Sequence, residues 1–362
     1  MTPFWKDTYG NPSSRHSPGY HAKQAVEDSR RAIAELIGSR PEEVVFTSGA
    51  TEAANLAIKG VTESTSKTTS KHVIVAATEH PAVIEPCAHL EQQGYDITRL
   101  PIGRHGILDV RDLIGAVRDN TVLACVMWVN NETGVVNPIA EIASALKERK
   151  VLFFCDATQG IGKIPISVSE LGIDLLALSG HKFHGPKGVG ALYVRRGVEI
   201  VPLLHGGGQE GGIRSGTLNV PAIVGLGEAS RRAKETMTAY RRKVRELRDY
   251  IETELLKIPD SHLNGHPSER IHNVTNIRFE GVNAEALITS LKPIVISNGS
   301  ACSSGKDSPS HVLSAMGLSD EEARCSVRIS LSHLNTRSEV GRLVKEIHSK
   351  IQQLRELHES WA

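Results

Sequence analysis

No stretch of this 362-residue sequence approaches the roughly 18 consecutive apolar residues that a bilayer-spanning helix needs, which excludes a helical membrane span. Charge of one sign is also missing. The 42 Lys and Arg against 41 Asp and Glu leave a net charge of +1, so there is neither a basic field to attract nucleic acid nor an acidic tail. Cysteine is scarce: residues 87, 125, 155, 302 and 325 are the only five. An odd number without Cys-x-x-Cys or His/Cys ligand spacing argues against a disulfide framework and a metal site, and points to free thiols in a reducing cytosol. Neither a secretory signal pattern nor an internal repeat is visible, and a cytoplasmic protein is expected. What remains is ordinary globular composition, 40% hydrophobic and 23% charged, long enough for a large domain and a smaller one.

Short apolar runs alternate with amphipathic stretches from about residue 20 to 200. Ala22, Val26, Ile33, Leu36 and Ile37 share one helical face, and Gly38 stands where a C-terminal cap belongs. "EVVFTSG", "HVIVAAT", "VLACVMWVN", "VLFFCDAT", "DLLALSG" and "GALYVRR" read as buried strands. Helical segments such as "ATEAANLAIKG", "AVIEPCAHLEQQG" and "PIAEIASALKERK" separate several of them. Strands joined by helices imply right-handed crossovers and a mostly parallel sheet in an α/β fold. "TESTSKTTSK" (62–71) reads as an exposed loop, and a long charged helix is expected from about Gly227 to Leu256. The expected division is a large domain over residues 10–225 and a smaller α/β domain over 226–362.

In a parallel sheet the ligand lies beyond the carboxyl ends of the strands. Those ends carry "SGATE", "TEHPAV", "CDATQ" and "SGHKFHGPKG". Lys182 follows a strand; a lysine there is ordinarily a solvated loop residue, but a partly desolvated one forms Schiff bases. Asp156 ends an almost wholly apolar strand, either as a turn residue or as a carboxylate held for a protonated ring nitrogen. Gly49, Ala50 and Thr51 open a helix, whose free N–H groups and dipole suit a phosphate, although every helix has such an end. Cys302 lies in "SNGSACSSGKDSPSH" (297–311), among small residues with high backbone freedom.

Taken in order, "VFTSGATEAANLAIKG", "TEHPAV", "NNETGVV", "SGHKFHGPKGVGALYVRRG", "HGGGQEGGIRSGTLN" and "SNGSACSSG" resemble the cysteine desulfurases of the NifS and IscS branch. These are class-V enzymes dependent on pyridoxal 5'-phosphate, with an aspartate-aminotransferase-like (type I) fold. The resemblance implies a seven-stranded, mostly parallel sheet in the large domain. It implies that Lys182 carries the cofactor covalently, that Asp156 pairs with the pyridine nitrogen and that Gln159 bonds the phenolic oxygen. His80 would stack on the ring and take part in acid–base steps, with Asn131 contacting ring or substrate. Ala50, Thr51, Ser179 and His181 would seat the phosphate, joined by Thr217 from the partner subunit of a homodimer. Arg328 would take the substrate carboxylate through its two-pronged guanidinium. Cys302 would be the nucleophile that holds sulfur from L-cysteine as a persulfide and passes it to an acceptor protein. The acceptor pathway, whether iron–sulfur cluster assembly, tRNA thiolation or DNA phosphorothioation, is left open.

Three departures accompany the resemblance, one being "SLSHLNT", with Ser332 and His333 where the family has glycine and arginine. The family's opening strand and turn of the type "YLDNAATTP" has no counterpart ahead of "MTPFW", so that element is expected to be absent. "GQEGG" carries Gly211 where the family has a basic residue. Two rivals stand beside a desulfurase: a selenocysteine lyase or other class-V enzyme, and a non-catalytic scaffold. Of the remaining cysteines, 87, 125 and 155 are expected in the core.

Overall fold

The six apolar runs read as strands all belong to one sheet in the structure, a computed structural model that describes residues 1–64, 71–299 and 308–359. In chain order its strands are β1 (Val44–Thr47), β2 (His72–Ala76), β3 (Asp96–Leu100), β4 (Thr121–Cys125), β5 (Leu152–Asp156), β6 (Leu175–Ser179) and β7 (Gly190–Val194). Their spatial order is β1-β7-β6-β5-β4-β2-β3. Neighbours from β3 through β6 pair in parallel, while β7 runs antiparallel to both β6 and β1. β5, β6 and β7 read as continuous apolar runs because both faces of a parallel sheet are covered.

Two segments differ from the sequence reading. β3, "DITRL", escaped notice because it is an edge strand with four of its five residues at least partly exposed, so it lacks the apolar run that marked the others. Residues 62–64, expected as loop, are the last turn of the helix Ala50–Ser64, where Thr62 is buried and its hydroxyl donates to the Ile58 carbonyl; residues 65–70 lie outside the described set. The helix Ser17–Ile37 does end on Gly38, whose φ of 68° satisfies the left-handed cap.

The chain forms two compact units. The first comprises Met1–Leu100, Val110–Trp128 and Pro138–Met237 and contains the whole seven-stranded sheet. Against that sheet the helix Ala50–Ser64 buries Ala53, Leu56, Ala57, Ile58 and Val61 among Val45, Phe154, Ala177 and Leu192. The second comprises Pro101–Asp109, Val129–Asn137 and Thr238–Ala362. Its sheet is antiparallel, with β8 (Ser261–Leu263), β9 (Val274–Phe279) and β10 (Ser326–Ser330) in the order β10-β9-β8. Its own apolar core joins Val244, Ile251 and Leu255 to Phe279, Val327, Ile347 and Ile351. The helix Val220–Leu255 begins in the first unit and supplies the second from Thr238 onward.

Close backbone packing at the top of β7 gives one direct test of this sheet. A Cβ at Gly190 would collide with the Leu178 carbonyl oxygen and lie 2.7 Å from the Gly49 Cα. Gly190→Ala is therefore expected to cost about 1–3 kcal/mol of overpacking, read as a lowered urea midpoint at constant slope. An unchanged midpoint would show that the strand top has room to spare.

Candidate active site

Three turns of the first unit, each at the carboxyl end of a strand, gather most of the residues singled out from sequence. After β1, Gly49 takes φ 154° and the helix Ala50–Ser64 starts. Its first amides have no intrahelical acceptor, and the earliest backbone bond runs from Ala53 N–H to the Gly49 carbonyl. A Cβ at Gly49 would be 3.6 Å from Ser179 Oγ, so the end of β6 faces this turn. Ser179 Oγ in turn shares a hydrogen bond of 3.0 Å with His181 Nδ1. Burial, then the charges of Lys182 and Lys187, hold the His181 imidazole below its ordinary pKa. Ala50, Ser179 and His181 thus belong to one neighbourhood, with Thr51 exposed on the first helical turn. Lys182 is half-buried on the single 3-10 turn Gly180–Phe183.

Asp156 ends β5 and is buried. Its Oδ1 accepts the Thr158 N–H at 2.9 Å, and its backbone carbonyl accepts from Trp128. Beneath it lies Glu79, fully buried, with Oε1 accepting the Met127 N–H at 2.5 Å. Burial and then the neighbouring Asp156 charge push the Glu79 carboxyl well above the usual carboxylate range. Gln159 follows on the same turn, and the buried Lys163 Nζ donates to its carbonyl at 2.9 Å and to its Oε1 at 3.1 Å. Thr158 Oγ1 is buried with no hydrogen-bond partner among the described residues. His80 caps the helix Pro81–Gln92, its Nδ1 accepting the Ala82 N–H at 3.0 Å. That acceptor role puts the proton of the neutral ring on Nε2.

Asn131 and Arg328 belong to the second unit, where Arg328 Nη1 donates to the Asn131 carbonyl at 3.0 Å. Both keep a buried polar atom with no partner among the described residues, Arg328 Nε and Asn131 Oδ1. Arg328 is the middle residue of β10, and its backbone pairs with Ser297 in both directions. Next to Asn131, Glu132 is buried and accepts the Ser310 hydroxyl at 2.5 Å, and a Cβ on Gly299 would collide with the same carboxylate. Burial raises the Glu132 pKa against the Ser310 hydrogen bond and the charges of His311 and Arg328. Thr217 is exposed on the loop after Gly216. Cys302 lies outside the described residues.

Glu79, Lys163 and Glu132 were passed over in sequence. Glu79 and Glu132 sit inside quoted motifs, "TEHPAV" and "NNETG", and Lys163 stands at helical spacing from Gln159, but only burial distinguishes them from surface charges.

A model of the class-V aminotransferases, "Aminotransferase class-V", matches residues 1–343. The chain belongs to this family. It is 46% identical over 357 residues to "Cysteine desulfurase IscS" of Pectobacterium atrosepticum, covering 98% of this chain and 88% of that one. A solved structure titled "NIFS-LIKE PROTEIN" superimposes with a TM-score of 0.91 at 35% identity, over 97% of this chain and 94% of the other. Another, "SspA in complex with cysteine", does so with a TM-score of 0.81 at 38% identity, over 93% and 94%. Within the family this chain thus falls among the cysteine desulfurases, and the family's enzymes depend on pyridoxal 5'-phosphate. The donor set of the first unit fits that cofactor: a lysine on a turn, a buried carboxylate, an orphaned Thr158 hydroxyl, and helix amides beside a hydroxyl and an imidazole.

Proposed function

We propose that the protein releases sulfur from L-cysteine as L-alanine plus a persulfide on Cys302, and hands that sulfur to an acceptor protein. The observation that carries this reading is the buried Asp156 at the end of β5, on the turn that also bears Gln159, in a unit where Lys182 and the Ser179–His181 pair end the next strand. In it, Lys182 would bear the cofactor, and Ala50, Thr51, Ser179 and His181 would receive its phosphate. Asp156 would face the pyridine nitrogen, Gln159 the phenolic oxygen and His80 the ring. When bound, pyridoxal phosphate supplies an electron sink for the charge that develops at the substrate Cα.

The chain's own groups do the rest. Arg328 would hold the substrate carboxylate by two parallel hydrogen bonds, its Nε being still without a partner among the described residues. Asn131, whose Oδ1 is likewise unengaged there, would contact the substrate beside it. Lys182 Nζ would take the Cα proton, and the His80 ring would serve the proton transfers to and from sulfur. The Cys302 thiolate would attack the substrate sulfur, forming S–S as Cβ–S breaks, with the bonding pair left on carbon. Proton return to that carbon gives alanine. The balance, L-cysteine plus thiol to L-alanine plus persulfide, requires no external oxidant. We assign the working form to a homodimer in which the partner's copy of Thr217 reaches the phosphate, and place it in the cytoplasm. Among the described residues no helix is long and apolar enough to cross a membrane.

The test is direct: purified protein given L-cysteine and a thiol reductant should yield alanine and sulfide in equal amounts, and a protein that makes neither overturns the reading. Selenocysteine as a competing substrate separates the lyase rival, which predicts activity on selenocysteine alone. Asp156→Asn keeps the oxygen that accepts from Thr158 while removing the charge. It is expected to bind cofactor yet lose about 100-fold or more in turnover, the scale of a lost charge contact at a reacting centre.

A further inference from the structure

We propose that Lys163 is a positioning residue that sets the orientation of the Gln159 carboxamide toward the cofactor. The inference rests on the reading that Gln159 meets the cofactor's phenolic oxygen. Gln159 and Lys163 are four residues apart on the turn that follows β5. Its backbone bonds run from Gly160 and Ile161 to the Ala157 carbonyl, and from Lys163 and Ile164 to the Gly160 carbonyl. Gly162 lies between them at φ 70°, where a Cβ would come within 3.0 Å of Phe183, the residue after Lys182. The turn that carries Gln159 and the turn that carries Lys182 are therefore packed together.

A carboxamide can sit either way round, and its neighbours decide which. Lys163 Nζ bears hydrogens in both protonation states and reaches the Gln159 carbonyl and side-chain amide at once, at 2.9 and 3.1 Å. In the structure the amide turns Oε1 toward that donor, which leaves its NH2 to donate elsewhere. A phenolic oxygen is the acceptor such an NH2 suits. The lysine is 7% exposed, and burial followed by the Lys182 charge lowers its pKa to about 7. Keeping an amine in so unfavourable a place calls for a task that a packed methionine could not perform.

The experiment titrates pyridoxal phosphate into cofactor-stripped wild type, K163M, Q159A and the double variant, following the visible absorbance band. K163M and Q159A should each weaken cofactor binding about 10- to 100-fold, the scale of one lost hydrogen bond to a charged group. In the double variant K163M should add less than twofold beyond Q159A, because Lys163 acts only through that amide. The pH midpoint of the bound cofactor's band should shift the same way in both single variants, a change that general loosening of the turn would not produce. K163A enters the same cycle if K163M does not fold. Wild-type affinity and spectrum in K163M, a Q159A that binds like wild type, or effects that multiply in the double variant would each overturn the assignment. A wild type that binds no pyridoxal phosphate overturns this inference and the proposed function together, whereas a yellow, active K163M with wild-type affinity overturns this one alone.

Discussion

Lys182→Ala is expected to abolish steady-state turnover, with alanine formation falling about 10³- to 10⁴-fold while the protein stays folded. The side chain is half-buried on the 3-10 turn Gly180–Phe183, so truncation leaves little cavity. What it removes is the amine proposed both to hold the cofactor covalently and to move the Cα proton. The loss of a positioned base alone accounts for 10²- to 10⁴-fold. The phosphate seat is untouched, because Ser179 and His181 keep their 3.0 Å hydrogen bond and the helix that starts at Ala50 keeps its amides. Cofactor should therefore still bind, but dissociate on gel filtration, where the wild type retains it. Alanine formation within tenfold of wild type would remove Lys182 from the chemistry.

Cys302→Ala should separate the two halves of the reaction: cofactor binding and its visible band unchanged, persulfide and alanine gone, with activity down more than 10³-fold. The other cysteines cannot take over. Cys87, Cys125 and Cys155 are buried in the first unit, and burial pushes the Cys125 and Cys155 thiols well up. Cys325 is buried in the second unit with its thiol also raised by burial. A thiol with a raised pKa supplies little thiolate, and the thiolate is the nucleophile. The described chain on either side of the segment that carries Cys302 is held: Ser297 pairs with Arg328, Gly299 fits against Glu132 only because it lacks a Cβ, and Ser310 donates to the same carboxylate. Persulfide is read by alkylation and mass spectrometry of the intact chain. A Cys302→Ala protein that still forms it, or a Cys325→Ser protein that does not, would move the sulfur-carrying role to another residue.

The family and the α/β fold were legible because they rest on local pattern. Buried strands announce themselves as apolar runs such as "VLFFCDAT", a glycine after the periodic residues marks the end of Ser17–Ile37, and motifs keep their order along the chain. β3 did not announce itself, since an edge strand with exposed residues has no apolar run to show. Most of the candidate residues named from sequence lie at or soon after strand ends, and a strand end is visible in one dimension.

What sequence alone determined here is therefore the order of the six buried strands of the large sheet, the identity of the polar residues at their ends and the membership of the family. Only the tertiary structure decided that β7 runs antiparallel between β1 and β6, so that Gly190 meets Gly49. It also decided that Glu79 lies buried beside Asp156, and that Lys163 is sealed against Gln159 and near Lys182. The physical reason is the same in each case. A charged side chain looks alike in sequence whether it faces water or the interior, and its pKa and hydrogen-bonding role are set by burial and by neighbours that are close in space rather than along the chain.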